Sequence, residues 1–142
     1  MAIEQLDNLV KAEKLKTEPA TQEEFDAMVR SGTRRLVDAL NKALSPESRF
    51  DLAYNAAHAL SLAALRWHGY RSDNRYLVFQ VLPHTLELPS EQWRVLDQAH
   101  RKRNLAEYEG ETAIDEKLLE ALLRVAQEVG SRVAQLGPVK EK

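Results

Sequence analysis

Along most of this chain apolar residues recur at intervals of three and four, the period of a helix with one buried face. Thr21 and Glu24 have the spacing of a capping box, and Phe25, Met28, Val29, Leu36, Leu40 and Leu44 follow at helical intervals. This predicts a helix over about 21–44. Gly32 falls inside it and weakens it by about 1 kcal/mol relative to alanine. Ser45 followed by Pro46 is a start signal, with a capping hydroxyl before a proline that suits the first helical position. The helix it opens carries Phe50, Ala53, Ala57, Leu60, Ala64 and Trp67 on one face and ends at Gly69. Its alanines at 53, 56, 57, 59, 63 and 64 let a neighbouring helix come close, as in a central, heavily packed element.

The stretch Tyr76–Leu82 reads either as a strand or as a short helix stopped by Pro83. The helix is preferred, because a lone strand has no partner elsewhere in the chain. Ser90 is the expected cap of a helix running to Tyr108, with Gly110 ending it. Thr112 is the expected cap of a last helix, on which Ile114, Leu118, Ala121, Leu122, Val125, Val129 and Val133 form a nearly continuous stripe. The expected architecture is all-α, an up-and-down bundle of four to five helices. Residues 1–20 read as an N-terminal helical extension, 21–136 as the bundle and 137–142 as a frayed tail.

With 142 residues, 44% hydrophobic and 30% charged, the chain can bury a core and is too apolar to be disordered. The absence of cysteine excludes disulfides, thiolate metal sites and a cysteine nucleophile. The opening segment has acidic residues at Glu4 and Asp7 and does not read as a signal peptide. The most apolar run, Ala56–Leu65, is interrupted by His58 and Ser61 and falls short of the roughly 20 residues of a membrane span. A cytoplasmic protein without membrane contact is expected. A net charge of −2 argues against a surface that coats nucleic acid throughout, so any anion site must be local.

Candidate chemistry concentrates in Trp93–Tyr108. Positions 93, 96, 100, 103, 104 and 107 share one helical face, which begins with Trp93 and Leu96 and turns polar with His100, Arg103, Asn104 and Glu107. A core-facing stripe that turns into charge needs partners. One reading is an internal Arg103–Glu107 ion pair and the other is a site.

The segment Arg101-Lys102-Arg103-Asn104 through Tyr108 resembles the motif region of the HEPN family. That family's signature is an arginine, then a polar residue, then a histidine after four to six intervening residues. Tyr54-Asn55-Ala56-Ala57-His58 on the alanine-rich helix and the Gly69-Tyr70-Arg71 turn are similar to a branch of the same family, over roughly residues 20–135. The resemblance implies a small helical bundle, a homodimer, RNA or a nucleotide as ligand and, in toxin-like members, an antitoxin partner. It also implies that Arg103 positions a phosphate, a role suited to a planar, permanently charged fork. The motif histidine is missing, because Tyr108 stands at the four-residue spacing and Gly110 at the six-residue spacing. An ordinary phenol titrates near 10 and is a weak base at neutral pH, so the departure counts against catalysis.

Two histidines are candidate replacements. His58 lies three residues from Asn55 on a face that can meet Arg103, and His100 precedes Arg103 by three. Each reads more simply as a structural histidine that is partly buried and hydrogen-bonded. His68 is expected to meet the carbonyls ending its own helix, and His84 lies in a loop. No pair has the spacing of a helical zinc site, and neither a metal nor a cofactor is expected. Arg66, Arg71 and Arg75 form, with Arg101, Lys102 and Arg103, a positive patch if the two regions meet, with Tyr70, Tyr76 and Tyr108 available for stacking. Otherwise they are a solvated face balanced by nearby carboxylates. The candidate phosphate-binding residues are thus Arg103, Asn104, Tyr108, Arg101 and Asn55, and the candidate catalytic residues His58 and His100. Three functions remain open: a binding module with little or no catalysis, a metal-independent ribonuclease, and a purely structural dimerisation domain.

Overall fold

The computed structural model describes residues 3–109 and 114–140, with only the backbone of 105–109. Among the described residues seven helices form: α1 (Glu4–Lys11), α2 (Gln22–Ala39), α3 (Pro46–Trp67), α4 (Arg75–Gln80), α5 (Leu82–Thr85), α6 (Ser90–Glu109) and α7 (Glu116–Ala134). The long helices α2, α3, α6 and α7 make a bundle. Two short strands, β1 (Lys16–Thr17) and β2 (Tyr70–Arg71), pair antiparallel, with Thr17 opposite Tyr70. The fold is the expected all-α bundle. No described helix is long and apolar enough to cross a membrane.

Helix α3 is the central element. Ala53, Ala56, Ala57, Ala63 and Ala64 are wholly buried, and the small side chains bring α2 and α7 close against it. The hydroxyls of Thr21 and Ser45 accept from the backbone N–H groups of Glu24 and Ser48, as their spacing predicts. Tyr76–Leu82 is helical. Asn74 caps α4 by accepting from the Leu77 N–H, and Pro83 sits in the first turn of α5 rather than stopping the chain.

Four boundary expectations are corrected. Helix α2 ends at Ala39, not near 44: the Asn41 carboxamide accepts from the Ala43 N–H in a local turn, and Arg49 donates to the freed Ala39 carbonyl. Leu40 and Leu44 are consequently exposed, as is Val37 on the outer face of α2. Helix α7 is capped by Asp115, whose carboxylate accepts from the Lys117 N–H; Thr112 and Gly110 lie outside the described residues. Ser90 is the first residue inside α6 rather than its cap. The tail, expected to fray, packs through Val139, which is buried and donates its N–H to Gln22, while the Trp67 indole donates to the Gly137 carbonyl.

A second apolar cluster joins the N-terminal segment to the bundle, with Leu6 and Leu15 against Leu65, Tyr70, Leu77, Val78 and Val81. Arg66 fastens this junction. It is 2% exposed, pairs with the carboxylates of Glu18 and Glu24, and donates to the carbonyls of Glu18, Pro19 and Tyr70. A buried guanidinium with its hydrogen bonds filled is a structural fastening, not part of a surface patch. Gly69, at φ +90°, turns the chain between α3 and β2.

Candidate functional site

The residues singled out in the sequence converge where α3, α4 and α6 meet. Helix α3 presents Tyr54, Asn55 and His58 on adjoining turns. Helix α4 supplies Arg75, Tyr76 and Phe79, and α6 supplies Trp93, His100, Arg103 and Asn104. Phe79 is the apolar wall between the two histidines, 6.0 Å from the His58 ring and 6.5 Å from the His100 ring by centroid, both edge-on. Tyr76 packs tilted against His100 at 5.4 Å and edge-on against Trp93 at 6.2 Å.

Tyr54 is the hub. Its side chain is fully buried, and its hydroxyl and His100 Nδ1 lie 2.9 Å apart in one hydrogen bond whose direction follows the tautomer. Asn104 Nδ2 is 3.4 Å from the other ring nitrogen of His100, completing a Tyr54–His100–Asn104 chain. Two guanidinium groups lie over the Tyr54 ring, Arg103 at 5.1 Å and Arg75 at 5.7 Å from the centroid. Asn55 orients the second: its carboxamide oxygen accepts from Arg75 at 2.8 Å while its nitrogen donates to the Asp51 carbonyl. Arg75 makes no ion pair with a carboxylate among the described residues.

This environment disfavours the charged form of both histidines. Burial, with the Arg75 and Arg103 charges adding to it, pushes His58 down to about 4. His100 is lowered by burial and by Arg103, with Asp97 opposing. Chemically the cluster offers two cationic forks, two neutral imidazoles and two carboxamides around one aromatic ring. Among the described residues no three His, Asp or Glu side chains are placed to hold a metal ion.

The structure thus brings together Asn55, His58, His100, Arg103 and Asn104. It does not bring in Arg101, which is exposed and pairs with Asp97 one turn back at 3.3 Å. The side chains of Tyr108 and Glu107 lie outside the described residues. Nor does the basic patch, one of the two readings of these arginines, form as a unit. Arg66 is buried, Arg71 pairs with Glu18 at 2.7 Å, and Arg75 alone of the three joins the cluster. Tyr70 is buried with its hydroxyl donating to Asp7, so it offers no stacking face. His68 bonds the Thr85 carbonyl at the end of α5, not the carbonyls of its own helix. Sequence reasoning missed the roles of Tyr54 and Arg75. The signal for Tyr54 was its i,i+4 relation to His58; Arg75 carried none beyond its charge.

Comparison of the chain with family models, curated proteins and solved structures gives no match.

Proposed function

We propose that the chain is a HEPN-like module that binds RNA or a nucleotide by its phosphate, with Arg103 and Arg75 as the cationic arms. One observation carries the reading: two guanidinium groups are held over one tyrosine ring with two carboxamides beside them. An anion seated between the two guanidinium groups is attracted by both. A phosphodiester matches the planar forks, and Asn55 and Asn104 add neutral polar groups at the edge.

The same geometry argues for binding with weak or no catalysis. A histidine held at about 4 is a poor proton donor at neutral pH and a weak base. The ribonuclease reading, with His58 or His100 in place of the motif histidine, draws support from the closeness of both rings to Arg103. In either case the resemblance implies a two-fold homodimer, with an antitoxin partner in the toxin-like case. Ala53, Ala56, Ala57, Ala63 and Ala64 of α3 are consumed inside one chain, which leaves its half-buried side around Asn55, His58, Ala59 and Leu62 to meet a second copy.

The test is a titration with a labelled single-stranded oligoribonucleotide, on the parent and on Arg103→Ala, Arg75→Ala and Arg103→Lys. Both alanine variants should lose most of the binding while helicity is kept. The lysine variant should lose part, because it keeps the charge without the fork. No binding by the parent, or alanine variants that bind normally, would leave the structural dimerisation domain as the better reading.

A further inference from the structure

Beside the cation cluster lies an open groove of about 880 Å³ between α1 and α4. Its floor is apolar, with Leu9, Leu77 and Val81, and side-chain amides of Gln5, Asn8, Asn74 and Gln80 line it. The groove and the cluster share a wall. Tyr76 lines the groove and also packs against His100, while its neighbour Arg75 reaches Asn55 and the Tyr54 ring. Consecutive residues of one short helix therefore serve two adjoining places of different chemistry.

Charge tells the two apart. The cluster holds two guanidiniums, whereas the groove has one lysine, Lys14, offset by Glu13, with His84 also in its lining. A phosphate belongs on the first side. The second suits a neutral, flat, hydrogen-bonding group: carboxamides carry the paired donors and acceptors that read base edges, and an aromatic wall with an apolar floor covers a ring. The side-chain amides of Gln5, Asn8 and Gln80 make no hydrogen bond among the described residues, leaving them available to a ligand. The volume lies in the range of small-molecule sites.

We infer that the α1–α4 groove is a base-binding subsite, receiving an unpaired nucleobase next to the phosphate held by Arg75 and Arg103. The inference rests on the phosphate reading above and adds to it a demand for an exposed base. A paired base, with its edge engaged and both faces stacked, does not enter.

The experiment compares, by fluorescence anisotropy at low salt, a labelled single-stranded oligoribonucleotide with an abasic ribose-phosphate oligomer of equal length. The parent should prefer the base-bearing strand by roughly tenfold, the scale of one well-stacked base. Asn8→Ala and Gln80→Ala, both at exposed positions, should erode that preference and leave abasic binding unchanged. Arg75→Ala should weaken both ligands together and keep the preference. Equal binding of the two strands overturns the base subsite while the phosphate reading stands. A preference untouched by both groove variants overturns it as well. Binding of neither strand overturns the phosphate reading and the subsite with it.

Discussion

Replacing Gly32 by alanine separates two expectations of opposite sign. Helix propensity alone predicts a gain of about 1 kcal/mol, since Gly32 lies inside an 18-residue helix. Packing predicts a loss. A Cβ at Gly32 falls 2.7 Å from Leu60 Cγ and 3.0 Å from its Cδ2, with the Ala56 carbonyl oxygen at 3.4 Å. Carbon atoms in ordinary contact sit about 3.5–4.0 Å apart. The closest atom is the branch point of Leu60, not the end of a flexible chain, and Leu60 is 1% exposed. Overpacking of this kind costs about 1–3 kcal/mol, and the overlap at a branch point puts it toward the upper end. The net expectation for Gly32→Ala is destabilisation by about 1–2 kcal/mol, a fall in Tm of several degrees for a domain of this size. Urea denaturation followed by circular dichroism measures it. Gly130→Ala is the companion, expected neutral or stabilising by up to about 1 kcal/mol because its one contact is ordinary. In a Leu60→Ala background the obstruction is gone, and Gly32→Ala should become stabilising. A Gly32→Ala protein more stable than the parent would refute the close α2–α3 approach.

Arg66→Ala leaves the Glu24 carboxylate and the carbonyls of Glu18, Pro19 and Tyr70 without their donor, while Glu18 keeps Arg71, and should cost about 3 kcal/mol, read by the same denaturation. Glu24 is held below its ordinary value chiefly by its hydrogen bond to Arg66, so its contribution is present above about pH 4.5 and lost as pH falls through the folded value. His58 adds an earlier loss: the unfolded chain takes up a proton near 6.5 that the folded chain refuses until about 4, so stability falls as pH drops across that window, and His58→Gln should flatten the slope there. The parent should cleave single-stranded RNA little or not at all without metal, and Tyr108→His should gain cleavage if the pocket lacks only its acid–base group; efficient parental cleavage abolished by His58→Ala or His100→Ala would favour the ribonuclease reading.

The helices were legible because their signals are local: caps at Thr21 and Ser45, proline at position 46, and apolar intervals along α3 and α7. The end of α2 was not, because Leu40 and Leu44 continue the apolar interval while Asn41 and Arg49 stop the helix through a local turn and a hydrogen bond from ten residues away. Gly32 was misread for a related reason: propensity is a property of one helix, and its close approach to Leu60 belongs to two. In the site, residues on shared helix faces were recoverable, Asn55 with His58 and His100 with Arg103. The division of the arginines was not. Arg66 is a fastening and Arg75 belongs to the candidate site, and only the docking of Glu18, Glu24 and α4 tells them apart.

The central claim is that Arg75 and Arg103 hold a phosphate beside two neutral histidines, and the histidines themselves report on it. An anion between the guanidiniums offsets the Arg75 and Arg103 charges that, after burial, help lower His58 and His100, so phosphate binding is expected to raise both. Proton–nitrogen NMR of the four imidazoles across pH, with and without a saturating short single-stranded oligoribonucleotide, measures this directly. The account predicts upward shifts at His58 and His100, with His68, held by the Thr85 carbonyl, unmoved. A saturating ligand that leaves His58 and His100 where they were contradicts it.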